Sequence, residues 1–329
     1  MFDERWPQEA DELDRALAAL LSKYCSPEAL RLIEVDAADA LQSAGRLDEL
    51  DRALRDFGLW DLPPDPYLLT RAAVTLGAHL APSPFVSAMP AFVLLGERDV
   101  ANGVDRPVVP AGLPRVAVAV GSRLEIGEMP ATVSRSAAGE RIVRVECGTT
   151  QSGGGEPDAM RAWGFLLEAA RLVGAAQALI QYGVDYVAER RQFGVPVGSF
   201  QGVANPLADA ATAVQAADLL VRHGAYIAAS DGALPLFAAV LAAAKARSGS
   251  RQAAATVHQA LGGYGFSLEA DCQLYSRRIR AWSAAMPDPS PWLAELARTL
   301  VDPATREQVT DLWQFERGFA LPRWSRETD

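Results

Sequence analysis

Apolar residues in the first part of this chain recur at three- and four-residue intervals. Leu13, Leu17, Leu20 and Leu21 share one helical face, and Leu47, Leu50 and Leu54 repeat the arrangement. Ser26-Pro27-Glu28 has the form of a helix start, a hydroxyl N-cap followed by proline at the first helical position, where its missing N–H is not needed. Gly58 predicts a helix end, and Pro63-Pro64 blocks continuation. A further helix is predicted from Tyr67 to Leu80, after which Ala81-Pro82-Ser83-Pro84-Phe85 must turn sharply.

From about Asp99 the pattern changes to short alternating or β-branched runs separated by glycine and proline. Val116–Val120, Arg123–Ile126, Thr132–Ser134 and Ile142–Glu146 read as strands, and Ser152–Gly155 closes the stretch. After Pro157 the three-and-four spacing returns and persists. Ala162, Phe165, Leu166, Ala169, Leu172, Val173, Ala176, Leu179, Ile180, Val184 and Val187 mark one long helix, stopped by Gly194 and Pro196. A second helix shows a solvent stripe of Asp209, Thr212, Gln215, Asp218 and Arg222. The third, from Pro235 towards Gln259, is alanine-rich and apolar nearly all round, which places it inside a bundle. A fourth follows Gly262-Gly263-Tyr264-Gly265, and the tail from Pro303 holds one more helical stretch with Val309, Leu312 and Trp313. The predicted fold is mainly α with a small β domain: a helical unit over 1–90, a reduced β unit over 91–156, and a four-helix bundle with tail over 157–329.

Composition narrows the function classes. A formal charge of -10 argues against a nucleic-acid backbone or an anionic membrane as the main partner. Cys25, Cys147 and Cys272 have no metal-type spacing and are odd in number, which fits a reducing cytoplasm. The N-terminus has no secretory pattern, and the longest apolar span, Ala233–Ala244, falls short of the ~20 residues a bilayer requires. His79, His223 and His258 lie on three different predicted helices, and no Ser/His/Asp set can be assembled. Ser152–Gly155 lacks the lysine of a phosphate loop.

Two segments carry more specific information. Tyr186-Val-Ala-Glu-Arg190-Arg191-Gln192-Phe193-Gly194 continues through Val-Pro-Val-Gly-Ser to Phe200-Gln201, and Gln259-Ala-Leu-Gly262-Gly263-Tyr264-Gly265-Phe266 is followed by Arg277-Arg278-Ile279-Arg280. Their order and separation resemble the acyl-CoA dehydrogenase superfamily over Ala162 to about Trp282. Leu76 to Phe85 is similar to that family's exit from its N-terminal helical domain. The stretch between Phe85 and Pro157 is shorter than the family's middle domain and lacks its threonine-glutamate-proline flavin segment.

The resemblance implies FAD bound across a subunit interface, with Arg190 on the pyrophosphate and Gln192 and Phe193 beside it. A guanidinium suits phosphate because it is permanently charged and offers several donors. Gln259, Gly262 and Gly263 form the second implied contact, glycine letting backbone amides approach closely. Structurally, the same residues read as a helix C-terminus and a tight turn. Dehydrogenation also requires a carboxylate to take the α proton. The family's usual base position falls near Ala285-Met286-Pro287, where no glutamate stands. Asp288 lies in a stiff proline-flanked stretch, and the alternative position falls on Gly164. Glu168, one turn along from Gly164, is the candidate substitute, set against an ordinary ion-paired glutamate.

These features imply a base-lacking subunit of a heteromeric FAD-dependent acyl-CoA dehydrogenase of steroid-degrading type. It would act on an acyl-CoA in a heterotetramer with a second, complete subunit that supplies the base. The competing expectation is a protein on the same scaffold that does not dehydrogenate, either a flavin-free structural subunit or an acyl-thioester lyase or dehydratase.

Overall fold

The computed structural model describes residues 4–34, 40–146 and 156–302. Cys147, the Ser152–Gly155 run and the tail stretch holding Val309, Leu312 and Trp313 lie outside the described residues.

The first unit opens with α1 (Gln8–Tyr24), α2 (Pro27–Glu34) and α3 (Ala40–Asp56). The cap predicted at Ser26 is made, its Oγ accepting the Ala29 N–H at 3.2 Å. Past the end of α3, Gly58 takes φ +83°, a left-handed conformation that costs glycine little. Asp65 caps α4 (Pro66–Ala78) by accepting the Leu68 N–H at 2.9 Å. Next comes a helix that the periodicity does not predict, α5 (Phe85–Leu95), which ends at Gly96 with φ +75°. Every residue from Phe85 to Phe92 is buried, so no polar stripe marks the helix, and Pro90 inside it reads as a breaker. Residue 90, where the sequence places the end of the first unit, lies within α5.

The β region contains β1 (Val100–Asn102), β2 (Val108–Pro110), β3 (Arg115–Val120), β4 (Arg123–Glu128), β5 (Val133–Arg135) and β6 (Arg141–Arg144). They form two three-stranded sheets, ordered β1-β3-β4 and β2-β6-β5. Pairing is antiparallel except between β1 and β3. The four predicted strands are β3 to β6. The additional two, at three residues each, are too short to show alternation.

The bundle consists of α6 (Glu156–Glu189), α7 (Gln201–Asp231), α8 (Leu236–Leu261) and α9 (Cys272–Ala285), with α10 (Ser290–Val301) packed on it. Among the described residues α6 is long and apolar enough to cross a membrane, more so than the Ala233–Ala244 span singled out by the sequence, but 89% of its most apolar window is buried inside the protein. Its neighbour α4 crosses it with backbones nearly touching. A Cβ at Gly174 would lie 1.9 Å from the Val74 carbonyl oxygen, and one at Gly77 would lie 2.0 Å from that of Arg171. These two glycines join the first unit to the bundle in one core that runs from Leu17 on α1 to Trp282 on α9.

The solvent stripe of α7 is corrected at its end. Asp209, Thr212 and Gln215 are exposed, but Asp218 is fully buried and holds Arg222 at the i+4 position. Arg222 turns inward because the N-terminal segment lies over it: its Nη1 donates to the Glu4 carbonyl, and its guanidinium sits 5.1 Å from the Trp6 ring.

Candidate functional site

Helix α6 ends in a hairpin of only two pairs, β7 (Arg191–Gln192) against β8 (Val195–Pro196). Its two-residue loop is Phe193-Gly194, with φ +51° and φ +84°. Left-handed values at both central positions define a type I′ turn, the tightest way to reverse a right-twisted ribbon. Gly194 meets that demand without strain. Phe193 does so at a cost of about 1–2 kcal/mol, and its ring is 93% exposed. A bulky side chain held in a strained conformation and left in water points to a role outside the chain's own core. The hairpin is tied back by the Val197 N–H donating to the Arg190 carbonyl at 2.8 Å.

The second motif forms a 3-10 turn over Gly262–Phe266 at the end of α8. Gly262 has φ +60°, and a Cβ added at Gly262 or Gly263 would meet nothing within 4 Å. The glycine pair therefore presents bare backbone outward rather than making room for a neighbour within the chain. His258 supports the turn from beneath, with Nδ1 2.7 Å from the Gly265 carbonyl oxygen and Nε2 2.9 Å from Ser276 Oγ. Beyond the turn, Phe266 and Leu268 are 83% and 77% exposed.

The structure brings the two motifs together. Tyr186, one turn before Arg190, stacks on Tyr264 with ring centroids 5.5 Å apart and planes 12° from parallel. Burial, together with a hydrogen bond to Tyr264, pushes the Tyr182 phenol above its ordinary range. The resulting surface carries exposed Arg190, Arg191, Gln192, Phe193, Gln259, Gly262 and Gly263. Its apolar part continues through Phe200, which meets Phe193 edge-on at 6.2 Å.

Glu168 lies elsewhere, at a cavity of about 250 Å³ between the first unit, the β region and the bundle. Its carboxylate is 2% exposed and engaged at both oxygens, Oε1 by Arg106 Nη1 at 2.8 Å and Oε2 by Arg171 Nη2 at 2.5 Å. Burial by itself would push its pKa up. The Arg171 and Arg106 charges and their hydrogen bonds outweigh that and hold it below the ordinary carboxylate range. This is the chemistry of a buried ion pair rather than of a base poised to take a proton. Gly164 has no side chain, and a Cβ there would fall 2.3 Å from the Nδ2 of buried Asn102, which would have to move. Met286 is buried and Ala285 lines the cavity, so no carboxylate stands there. Asp288 accepts from Arg247 Nη1 at 3.1 Å and from the Ser290 hydroxyl at 3.0 Å at the start of α10.

The family model described as "Acyl-CoA dehydrogenase, C-terminal domain" matches residues 163–285. The matched residues run from the first turns of α6 to the end of α9. Among similar sequences, acyl-CoA dehydrogenase FadE34 of Mycobacterium tuberculosis is 34% identical over 126 residues, which cover 38% of this chain and 18% of that relative. The chain thus matches well under two thirds of that relative's length. Among solved structures, a steroid acyl-CoA dehydrogenase variant, Tcur3481-Tcur3483, superposes with a TM-score of 0.74 at 21% identity, covering 90% of this chain and 99% of that one. The ChsE4-ChsE5 complex from Mycobacterium tuberculosis gives 0.73 at 18% identity, covering 92% and 99%. The fold as a whole is that of the acyl-CoA dehydrogenases.

The stretch that matches the family model contains both outward-facing motifs, Glu168 and the α9 wall of the cavity. Arg106, from the linker between β1 and β2, lies outside it. Sequence reasoning misses Arg106 because no spacing links it to Glu168, 62 residues on. Arg171 carried a weak signal, standing three residues from Glu168 on an otherwise apolar helix.

Proposed function

We propose that this chain is one subunit of a heteromeric FAD-dependent acyl-CoA dehydrogenase. In it, Arg190, Gln192, Phe193, Gln259, Gly262 and Gly263 contact a flavin dinucleotide held mainly by a second, complete subunit. The observation that carries this reading is the joining of the two motifs through Tyr186 and Tyr264 into one exposed surface, none of whose residues lines the chain's own cavity. The residues fit a dinucleotide: Gly262 and Gly263 leave their backbone open to an outside group, and Arg190 is exposed. The flavin, when bound, supplies the hydride acceptor for α,β-desaturation of an acyl thioester.

This chain's residues serve binding. The Arg190 guanidinium would neutralise and orient the pyrophosphate, the exposed Gly262-Gly263 backbone would offer it N–H groups, and the Phe193 ring would cover an apolar part of the interface. The α-proton acceptor would come from the partner, since Gly164 has no side chain and Glu168 is locked between two arginines. A steroid-derived acyl-CoA is the proposed substrate class, by likeness to the steroid acyl-CoA dehydrogenase structure named above. Co-expression with a longer acyl-CoA dehydrogenase that has an intact base tests the reading. A yellow complex that co-elutes on size exclusion supports it, and two separate colourless chains refute it.

The lack of a free carboxylate at these positions also favours a second reading, a protein on this scaffold that does not dehydrogenate. Turnover of an acyl thioester by the purified chain without any electron acceptor would select it over the first.

A further inference from the structure

The cavity beside Glu168 has a charge imbalance at its buried end. Arg106 and Arg171 are 3% and 5% exposed and share the single carboxylate of Glu168, so one formal positive charge is left over. Arg106 uses Nη1 on Glu168 and Nη2 on the Gly164 carbonyl, and Arg171 uses Nη2 on Glu168. The Nε of each is buried with no acceptor. Two buried guanidiniums that share one carboxylate, each with an unsatisfied Nε, are costly, and an anion seated at this end would supply a second counter-charge and further acceptors.

The remaining walls define what else the occupant must be. Trp282 lies under the Arg171 guanidinium at 4.2 Å and forms part of the lining with Val109, Ile142, Ala281 and Ala285. These surfaces are apolar and one is aromatic. The carboxylates of Glu140, Asp48 and Asp51 also line the cavity, but Glu140 accepts the Trp282 indole N–H at 2.8 Å and Asp51 pairs with Arg55. All three are more exposed than Glu168, and solvent weakens their repulsion of an anion. At about 250 Å³ the space is well beyond that of one water and has room for a small organic molecule.

We propose that this cavity binds a small monocarboxylate with a compact apolar body, its carboxylate against Arg171 and Arg106 and its body against Trp282. The site belongs to this chain alone and does not depend on the flavin reading.

Isothermal titration of the full chain with benzoate, benzamide and inorganic phosphate tests it. Benzoate should bind at one saturable site, with benzamide about 10- to 100-fold weaker because it lacks the charge. Phosphate should be weaker than benzoate because it lacks the apolar body. Arg171→Met should abolish the preference for benzoate over benzamide. Should that variant not fold, Ala285→Leu decides, since it narrows the cavity without touching the ion pairs and should weaken benzoate at least several-fold. No saturable benzoate binding, equal affinity for benzamide or phosphate, or unchanged affinity in Ala285→Leu would each overturn the proposal.

Discussion

Tyr186 and Tyr264 stack nearly parallel, 12° apart, and this contact turns two segments distant in sequence into one surface. Tyr186 sits on the last full turn of α6, and Tyr264 in the turn after α8. An offset aromatic pair contributes about 0.5–1.5 kcal/mol beyond its burial. A double-mutant cycle of Tyr186→Ala and Tyr264→Ala, followed by denaturant unfolding, should give a coupling energy in that range. Additive single effects would mean that the two motifs are held in place independently.

Phe193 sets stability against function. Its φ of +51° is a conformation glycine adopts freely, and its ring is almost wholly in water. Phe193→Gly should therefore keep or raise the melting temperature of the isolated chain, with a gain of up to about 1 kcal/mol. The same change should weaken association with the partner subunit, measured by titration of the two chains. A destabilised fold with unchanged association would place the ring in this chain's own packing.

Glu168 ties stability to pH. Its folded pKa is depressed, so its contribution is fully present above the unfolded carboxylate value of about 4.3 and is lost as pH falls through the folded value. Glu168→Gln should cost about 3–5 kcal/mol at neutral pH, because it leaves two buried guanidinium groups without their shared partner. The difference between wild type and variant should shrink on acidification below about pH 4. A constant difference across that window, followed by chemical denaturation at each pH, would show that the ion pairs are not its source.

Much of this architecture is legible in the residues, and the exceptions share a physical cause. The bundle helices declare themselves because their apolar positions recur over many turns, and the Ser26 cap and Gly58 stop are local chemistry. Helix α5 is hidden because burial on all sides removes the polar stripe that would mark it. Helix α10 is hidden behind Pro287, Pro289 and Pro291, two of which precede it while the third sits in its first turn. The candidate contact residues are legible as a pattern, but their exposure is not. Only the folded chain shows that Phe193 is strained into water and that the glycine pair opens outward. The fate of Glu168 depends on Arg106, a long-range partner that no periodicity reveals.

The central claim is that the outward glycine turn and Arg190 hold a flavin shared with a partner. Gly263→Leu tests it most directly, because nothing within 4 Å of an added Cβ makes the substitution costly to this chain's fold. The measurement is the ratio of bound flavin to protein in the purified two-chain complex, with the melting temperature of the isolated variant as a control. The account predicts an unchanged melting temperature, within about 1 kcal/mol of stability, and a complex that has lost most of its flavin. A Gly263→Leu complex that retains its full flavin content would contradict it.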